Sequence, residues 1–282
     1  MSIPEPRTAA GAAGLAALLK DPARAVVALD FDGTLAPIVA NPEHAYAHPG
    51  AVDVLARLAP RLAAVVVLTG RPAETAVRLG GFAGVAGLDR LIVLGHYGLE
   101  RWDAATGELR APEEHPGITA LRPELAELEL PEGVRIEDKG HALAVHTRRA
   151  AEPDAALAGL DTPLRVLAAR HGLAVEPGRM VLELRPPGMD KGVALTGVLR
   201  ELGAGSVLFA GDDLGDLAAY DAVEALRAGD DPPGGLPGLL VCSAPATGEP
   251  PVAALADRAD LVVFGPDGVV ELLGLLAAEL ER

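Results

Sequence analysis

Short apolar runs alternate along this chain with stretches whose apolar residues recur at three- and four-residue spacing. The first pattern suits a buried strand, the second a helix with one face turned to a core. Val26–Leu29 is a valine-rich run ending in Asp30, and Ala63–Leu68 and Leu91–Leu94 are of the same type. Residues 36–49 are polar and proline-bearing, a loop. Pro49-Gly50 opens a helix with Val52, Leu55, Leu58 and Leu62 on one face, and Pro72 opens a second that stops at Gly80-Gly81. The rhythm returns with a helix at Lys191–Leu202, a strand at Ser206–Ala210 and a helix from Leu214 to about Leu226. Gly229–Gly238 reads as an exposed loop. Strands at Leu239–Cys242 and Leu261–Phe264 precede a last helix from about Asp267, whose apolar face (Val269, Leu272, Leu273, Leu276, Leu280) is expected to be core packing. This βα alternation predicts a doubly wound, Rossmann-like α/β layer with a parallel sheet.

From Gly98 the pattern changes. Leu99–Trp102 and Glu108–Arg110 flank Asp103–Gly107, a hairpin signal. A helix near Gly117–Leu128 is followed by strands at Val134–Glu137 and Ala142–Thr147. A long helical stretch, Pro153–His171, is closed by Gly172, and Pro163 is expected to break or kink it. Strands at Leu173–Glu176 and Met180–Leu184 follow across Pro177-Gly178. Strand pairs joined by short turns predict an antiparallel sheet, unlike the flanking pattern. The expected organisation is therefore an N-terminal helix and extension at 1–24, a core at 25–110 and 188–282, and a smaller α/β domain inserted at 111–187.

Half of the residues are hydrophobic but only 3% are aromatic, so the core is built mainly of Leu, Val and Ala. The 282 residues carry a formal net charge of −16. That sign argues against nucleic acid and anionic membranes as partners, and an anionic substrate then needs a local basic pocket. Cys242 is the only cysteine, which excludes an intrachain disulfide and a cysteine-built zinc cluster. Ala9–Leu19 is apolar but too short to span a bilayer, and Lys20-Asp21-Pro22 follows it at once. It is read as a short amphipathic helix, and the protein is expected to be cytoplasmic and monomeric.

The chemistry concentrates at predicted strand ends. Asp30 and Asp32 are two residues apart, so a strand can bring both carboxylates to one face at its carboxyl end, where open α/β sheets bind ligands. Two acids held that close need a cation or a shared proton. Gly33 lets the chain swing away from them. Thr69 ends the second strand, Lys191 opens a helix, and Gly211-Asp212-Asp213-x-x-Asp216 follows a later strand. Taken singly, these are ordinary caps, turns and solvated side chains. Together they supply a carboxylate nucleophile, an acid–base carboxylate, a hydroxyl and an ammonium for phosphoryl oxygens, and acids for a cation. Oxygen donors without a Cys or His cluster favour Mg²⁺ over zinc.

At this point the chain resembles the haloacid dehalogenase-type phosphatases. Asp30-Phe-Asp32-Gly-Thr34, Thr69-Gly-Arg71, Lys191-Gly192 and Gly211-Asp212-Asp213-x-x-Asp216 look like the four signature motifs, and the inserted domain looks like a cap. More narrowly, the chain is similar to trehalose-6-phosphate phosphatases. Glu137-Asp-Lys139-Gly140, Ala-Val-His146-Thr-Arg148, Leu-Glu183-Leu-Arg185-Pro186 and Gly95-His-Tyr97-Gly98-Leu-Glu100 carry that likeness. Two positions depart from it: Gly215-Asp216-Leu217 stands where the family shows Thr-Asp-Glu, and Tyr97 where it tends to have His.

The resemblance implies hydrolysis of trehalose 6-phosphate by a Mg²⁺-dependent enzyme through an aspartyl phosphate. Asp30 is then the nucleophile and Asp32 the acid and base, with Thr69 and Lys191 on the transferred group. Asp30, Asp212 and the Asp32 carbonyl would hold the metal, supported by Asp213 and Asp216. Glu137, Lys139 and Glu183 would bind sugar hydroxyls, with His146 and Tyr97 near them and Arg71 near the phosphate or the first glucose. The alternatives are another glycosyl or cyclitol phosphate (a sucrose phosphate, a glucosyl-phosphoglycerate, a pseudo-disaccharide phosphate) and, outside enzymes, a sugar-phosphate-binding regulator.

Overall fold

The computed structural model describes residues 2–39, 41–178, 180–188, 190–229, 235–246 and 250–282. In chain order its elements are α1 (Ala9–Lys20), β1 (Ala25–Asp30), α2 (Ala51–Leu58), β2 (Ala64–Leu68), α3 (Ala73–Gly80), β3 (Leu91–Gly95), β4 (Glu100–Asp103) and β5 (Glu108–Arg110). Then come α4 (Pro116–Ala126), β6 (Arg135–Asp138), β7 (Leu143–His146), α5 (Pro153–Arg170), β8 (Ala174–Gly178) and β9 (Val181–Arg185). The chain closes with α6 (Lys191–Glu201), β10 (Ser206–Gly211), α7 (Leu217–Ala228), β11 (Gly238–Ala244), α8 (Ala253–Ala256), β12 (Leu261–Phe264) and α9 (Gly265–Leu280). These elements form two compact units, Met1–Ala111 with Asp190–Arg282, and Pro112–Met189.

The first unit is the doubly wound layer that the alternation predicts. Its sheet runs β12-β11-β10-β1-β2-β3-β4-β5. The pairs from β12 to β3 are parallel, and the β4–β5 hairpin adds antiparallel strands beyond β3. From β1 the chain winds outward through β2 and β3, and later outward on the other side through β10, β11 and β12. The carboxyl ends of β1 and β10 therefore flank the point where strand order reverses, which is where such sheets open a crevice. Burial on both faces explains the Val, Leu and Ala runs of β1 and β2, which, like β11, are buried throughout. Val27 and Leu29 pack on the side of α1, α2, α3 and α9, where Val269, Leu272, Leu273 and Leu276 are buried as expected.

Helix α1 is seated by the buried carboxylate of Asp260. Thr8 caps the helix by accepting from the Gly11 amide (2.9 Å), and its hydroxyl donates to Asp260. Arg227 and the Leu240 amide (2.7 Å) also donate to Asp260. Gly14 lies so close to β11 that a Cβ there would stand 1.8 Å from the Gly238 carbonyl oxygen.

The second unit is an antiparallel sheet in the order β6-β7-β9-β8, as the short-turn strand pairs predict. Leu143, Val145, Leu182, Leu184 and Val175 turn one face to α4 and α5. The opposite face carries a row of partners across the strands, Glu137, Ala144, Glu183 and Glu176.

Two expectations are corrected. Pro163 does not end the helix: α5 runs unbroken from Pro153 to Arg170. Pro163 and Gly159, whose carbonyl loses its amide partner, both lie on the exposed side, so water can reach that carbonyl. The loop expected at Gly229–Gly238 falls partly outside the described residues. Its described end is buried, with Leu236 only 4% exposed and its amide bonded to the Leu226 carbonyl (2.8 Å).

Gly14→Ala tests the close approach of α1. Ala ordinarily favours a helix interior over Gly by about 1 kcal/mol. Here the backbone collision reverses the sign, and urea unfolding is expected to show a net loss of about 1–3 kcal/mol.

Candidate active site

β1 delivers Asp30 to the crevice, where it is 4% exposed. The chain then turns sharply: the Leu35 and Ala36 amides donate to the Phe31 carbonyl (2.9 and 2.8 Å), and Gly33 adopts φ +80°. A Cβ on Gly33 would stand 2.1 Å from Oδ2 of Asp212, so this turn admits the Asp212 carboxylate only because the side chain is missing. Ser243, at the end of β11, donates to the Gly33 carbonyl (2.7 Å) and ties the turn to the neighbouring strand.

Lys191 is the first residue of α6, behind the N-cap Asp190, which accepts from the Val193 amide (2.8 Å). The residue is 4% exposed, and its ammonium is bonded to two carboxylates, Oδ1 of Asp30 at 2.5 Å and Oδ1 of Asp216 at 2.7 Å. Asp216 is fully buried, and its other oxygen accepts from the amides of Asp212 (2.9 Å) and Asp213 (3.2 Å). Asp216 thus fixes both the lysine and the loop after β10. Asp213 caps the turn Leu214–Asp216 by accepting from the Gly215 amide (2.8 Å). The helix expected from Leu214 therefore starts with a 3₁₀ turn and becomes α-helical at Leu217.

Asp30, Asp212 and Asp216 each offer an oxygen within 4.8 Å of the others. Burial pushes the proton affinity of Asp30 up, and Lys191 only partly offsets this against the neighbouring Asp216, Asp213 and Asp32. Burial raises Asp212 in the same direction, with Asp30 and Asp216 adding to it. For Lys191, burial acts to lower the proton affinity, but Asp216 and Asp30 outweigh it and hold the side chain as an ammonium. The cluster has more negative than positive charge, and its donors are all carboxylate oxygens. Those two properties fit a hard divalent cation.

Thr69 follows β2 and is 1% exposed; its hydroxyl oxygen accepts from the Arg71 amide (3.1 Å). Arg71 turns its guanidinium onto Asp32 in a two-pronged pair, Nε to Oδ2 and Nη2 to Oδ1, both at 2.7 Å. The Asp32 carboxylate is thereby held by Arg71. The Tyr97 backbone is in the left-handed region (φ 58°), its amide donates to the Thr69 carbonyl (3.0 Å), and its phenol lies against Gly70.

In the second unit, Lys139 Nζ meets Glu183 Oε2 at 3.2 Å, and His146 Nε2 meets Glu137 Oε2 at 2.8 Å. Glu183 is 5% exposed, whereas Glu137 is open to solvent on the edge strand β6. The four side chains thus form one ion pair and one hydrogen-bonded contact on the polar side of the sheet.

Sequence reasoning missed three supports. The buried Glu100 accepts from the Ala73 amide (2.6 Å) and anchors the start of α3 just after Arg71. Its place in Gly98-Leu-Glu100 was visible, its partner was not. The pairing of Arg71 with Asp32 and the Ser243 strut had no signal in spacing.

A family model described as trehalose-phosphatase matches residues 28–233. The chain belongs to the trehalose-phosphatase family. The trehalose-phosphate phosphatase of Mycobacterium tuberculosis is 36% identical over 208 residues, covering 70% of this chain and 51% of the relative. This chain thus spans about half the length of the curated relatives it matches first. The fold is that of the C-terminal domain of the C. albicans trehalose-6-phosphate phosphatase (TM-score 0.73, 21% identity, 99% of both chains). It is also similar to a haloacid dehalogenase-like hydrolase from Bacteroides thetaiotaomicron (TM-score 0.56, 17% identity, 88% of this chain and 97% of that one). The core-plus-cap α/β architecture expected from the sequence is the architecture found. Among the described residues, no helix is long and apolar enough to cross a membrane.

The charge imbalance sets three expectations. Because Asp30 and Asp212 bind protons more tightly folded than unfolded, their contribution is present at low pH and is lost as pH rises. The metal-free protein should therefore melt higher at about pH 6 than at about pH 8. Saturating Mg²⁺ should remove that difference and stabilise the protein, by about 2.7 kcal/mol at a hundred times its dissociation constant. Asp212→Asn should raise the metal-free melting temperature and abolish the Mg²⁺ shift in the same thermal scan.

Proposed function

We propose that this chain is a Mg²⁺-dependent phosphatase that hydrolyses trehalose 6-phosphate to trehalose and phosphate. The observation that carries this reading is the Asp30–Lys191–Asp216 chain of contacts beside Asp212, at the reversal point of the sheet, in a member of the trehalose-phosphatase family. It agrees with a cytoplasmic setting, since the lone Cys242 is buried and no disulfide is possible.

Asp30, Asp212 and the Asp32 carbonyl would hold the metal, with Asp213 and Asp216 fixing the loop that carries Asp212. Bound there, Mg²⁺ neutralises carboxylate and phosphoryl charge. Lys191 grips one oxygen of Asp30, and the other attacks phosphorus in line. The bond from phosphorus to the sugar oxygen breaks, its electron pair stays on that oxygen, and Asp32 supplies the proton. Asp32 then takes a proton from water as the water oxygen attacks the aspartyl phosphate. Asp30 departs as carboxylate and phosphate is released. Lys191 and the Thr69 hydroxyl bind the equatorial oxygens, where charge is greatest in transit.

Sugar recognition is assigned to Glu137, Lys139, Glu183 and His146 of the second unit, and Tyr97 of the first unit is assigned to substrate binding. A sugar offers many hydroxyls and little apolar area, so charged acceptors and donors are the side chains that grip it. Contacts among them, the Lys139–Glu183 ion pair and the His146–Glu137 hydrogen bond, hold these side chains before a ligand arrives.

Phosphate release from trehalose 6-phosphate, sucrose phosphate, glucosyl-phosphoglycerate and a pseudo-disaccharide phosphate, with and without Mg²⁺, tests the assignment. The disaccharide ester of trehalose should be preferred and metal-dependent. Release from none of them would leave a binding protein. Asp30→Asn should lower kcat by at least about a thousandfold with the fold intact by circular dichroism. Glu183→Ala should lower kcat/KM for trehalose 6-phosphate by about 10–100-fold, and for p-nitrophenyl phosphate by much less. Equal losses on the two esters would remove Glu183 from sugar recognition.

A further inference from the structure

The guanidinium of Arg71 makes an arrangement that phosphate binding does not explain. Two of its nitrogens are committed to the two oxygens of Asp32 at 2.7 Å, and Nη1 donates to the Pro42 carbonyl at 3.1 Å. The group also lies 5.9 Å from the centroid of the Phe31 ring, the residue between Asp30 and Asp32. Its main chain is fixed as well: the amide donates to Thr69 Oγ1 (3.1 Å) and the carbonyl accepts from the His96 amide (2.9 Å). The side chain is 15% exposed, against 38% for Asp32, so the more buried partner is the arginine.

Asp32 needs such a partner. It lies beyond the end of β1, on a turn, and strand geometry does not orient it as it orients Asp30. A planar fork that meets both carboxylate oxygens fixes rotation about the terminal torsion of Asp32, which a point charge does not. Resting on the proposed phosphatase reading, we infer that Arg71 is a positioning residue: it acts on turnover through the orientation of the Asp32 carboxylate, and not by gripping the phosphate. The proton transfers are those already written: Asp32 enters the first in its protonated form and gives that proton to the sugar oxygen, is then the carboxylate that the fork holds, and takes a proton back from water; Arg71 gains and loses no proton in either.

The test is a double-mutant cycle of Arg71 and Asp32, read with p-nitrophenyl phosphate and with trehalose 6-phosphate. Arg71→Lys, which keeps the charge and loses the fork, and Arg71→Ala should each lower kcat by about 10–100-fold, with KM changed by less than about threefold. In the Asp32→Asn background the same changes should cost less than about twofold more, because the carboxylate they orient is gone. Losses that multiply in that background, or a matching rise in KM and in the inhibition constant of inorganic phosphate, would overturn the inference in favour of phosphate binding. Full activity of Arg71→Lys would overturn the role of the fork. The Mg²⁺-induced thermal shift of each variant shows that the acid cluster remains formed. Melting temperatures supply a reading independent of turnover: the two single variants and the double variant should melt close together, and additive losses would contradict the pairing. Wild-type protein that cleaves no phosphate ester would defeat the proposed function, while this stability cycle would still decide whether Arg71 and Asp32 work as one unit.

Discussion

The buried ammonium of Lys191, shared between Asp30 and Asp216, is the contact on which the rest of the core site depends. One positive charge cannot balance the carboxylates gathered at the ends of β1 and β10, and water is largely excluded from them. The imbalance follows from topology. Winding outward in both directions from β1 leaves its carboxyl end and that of β10 side by side, so residues separated by most of the chain become neighbours. A divalent cation would complete the balance, and in the proposed reaction the same demand keeps Asp30 reactive towards phosphorus.

Around that centre the structure supplies rigidity through short backbone contacts. Asp216 spends one oxygen on Lys191 and the other on two consecutive amides, so the loop carrying Asp212 cannot move without disturbing the lysine. Gly33 and Ser243 do the same for the turn after β1, one by having no side chain and the other by bonding its carbonyl. Glu100 pins the start of α3 and with it the Thr69–Arg71 segment. Catalytic geometry of this kind depends on neighbours that hold the contacting groups still.

Much of the fold was legible in the chain because local physics dictated it. The valine-rich runs could only be buried strands, and the change from βα alternation to strand pairs marked a second architecture. The Asp30-x-Asp32-Gly turn and the Asp212, Asp213, Asp216 set were legible as chemistry because their spacing puts acids at strand ends. What spacing could not show was pairing. Lys191 and Asp30 are 161 positions apart, Arg71 and Asp32 39, and nothing in either neighbourhood names the partner. Pro163 was misread because the rule for proline assumes that the lost hydrogen bond is costly, and on the exposed side of α5 water replaces it. The burial of Leu236 was missed because a run of Gly, Pro and Asp reads as solvated even where its end is buried.

In the proposed reaction the Asp30 carboxylate becomes a mixed anhydride in the presence of a divalent cation. Mixing the protein with trehalose 6-phosphate, quenching in acid during turnover and mapping the peptides by mass spectrometry measures this directly. A single phosphoryl adduct on the peptide that holds Asp30, formed with Mg²⁺ and missing when the metal is chelated, is the result expected. Steady release of phosphate with the adduct on another residue, or with the Asp30 peptide never modified, would contradict it.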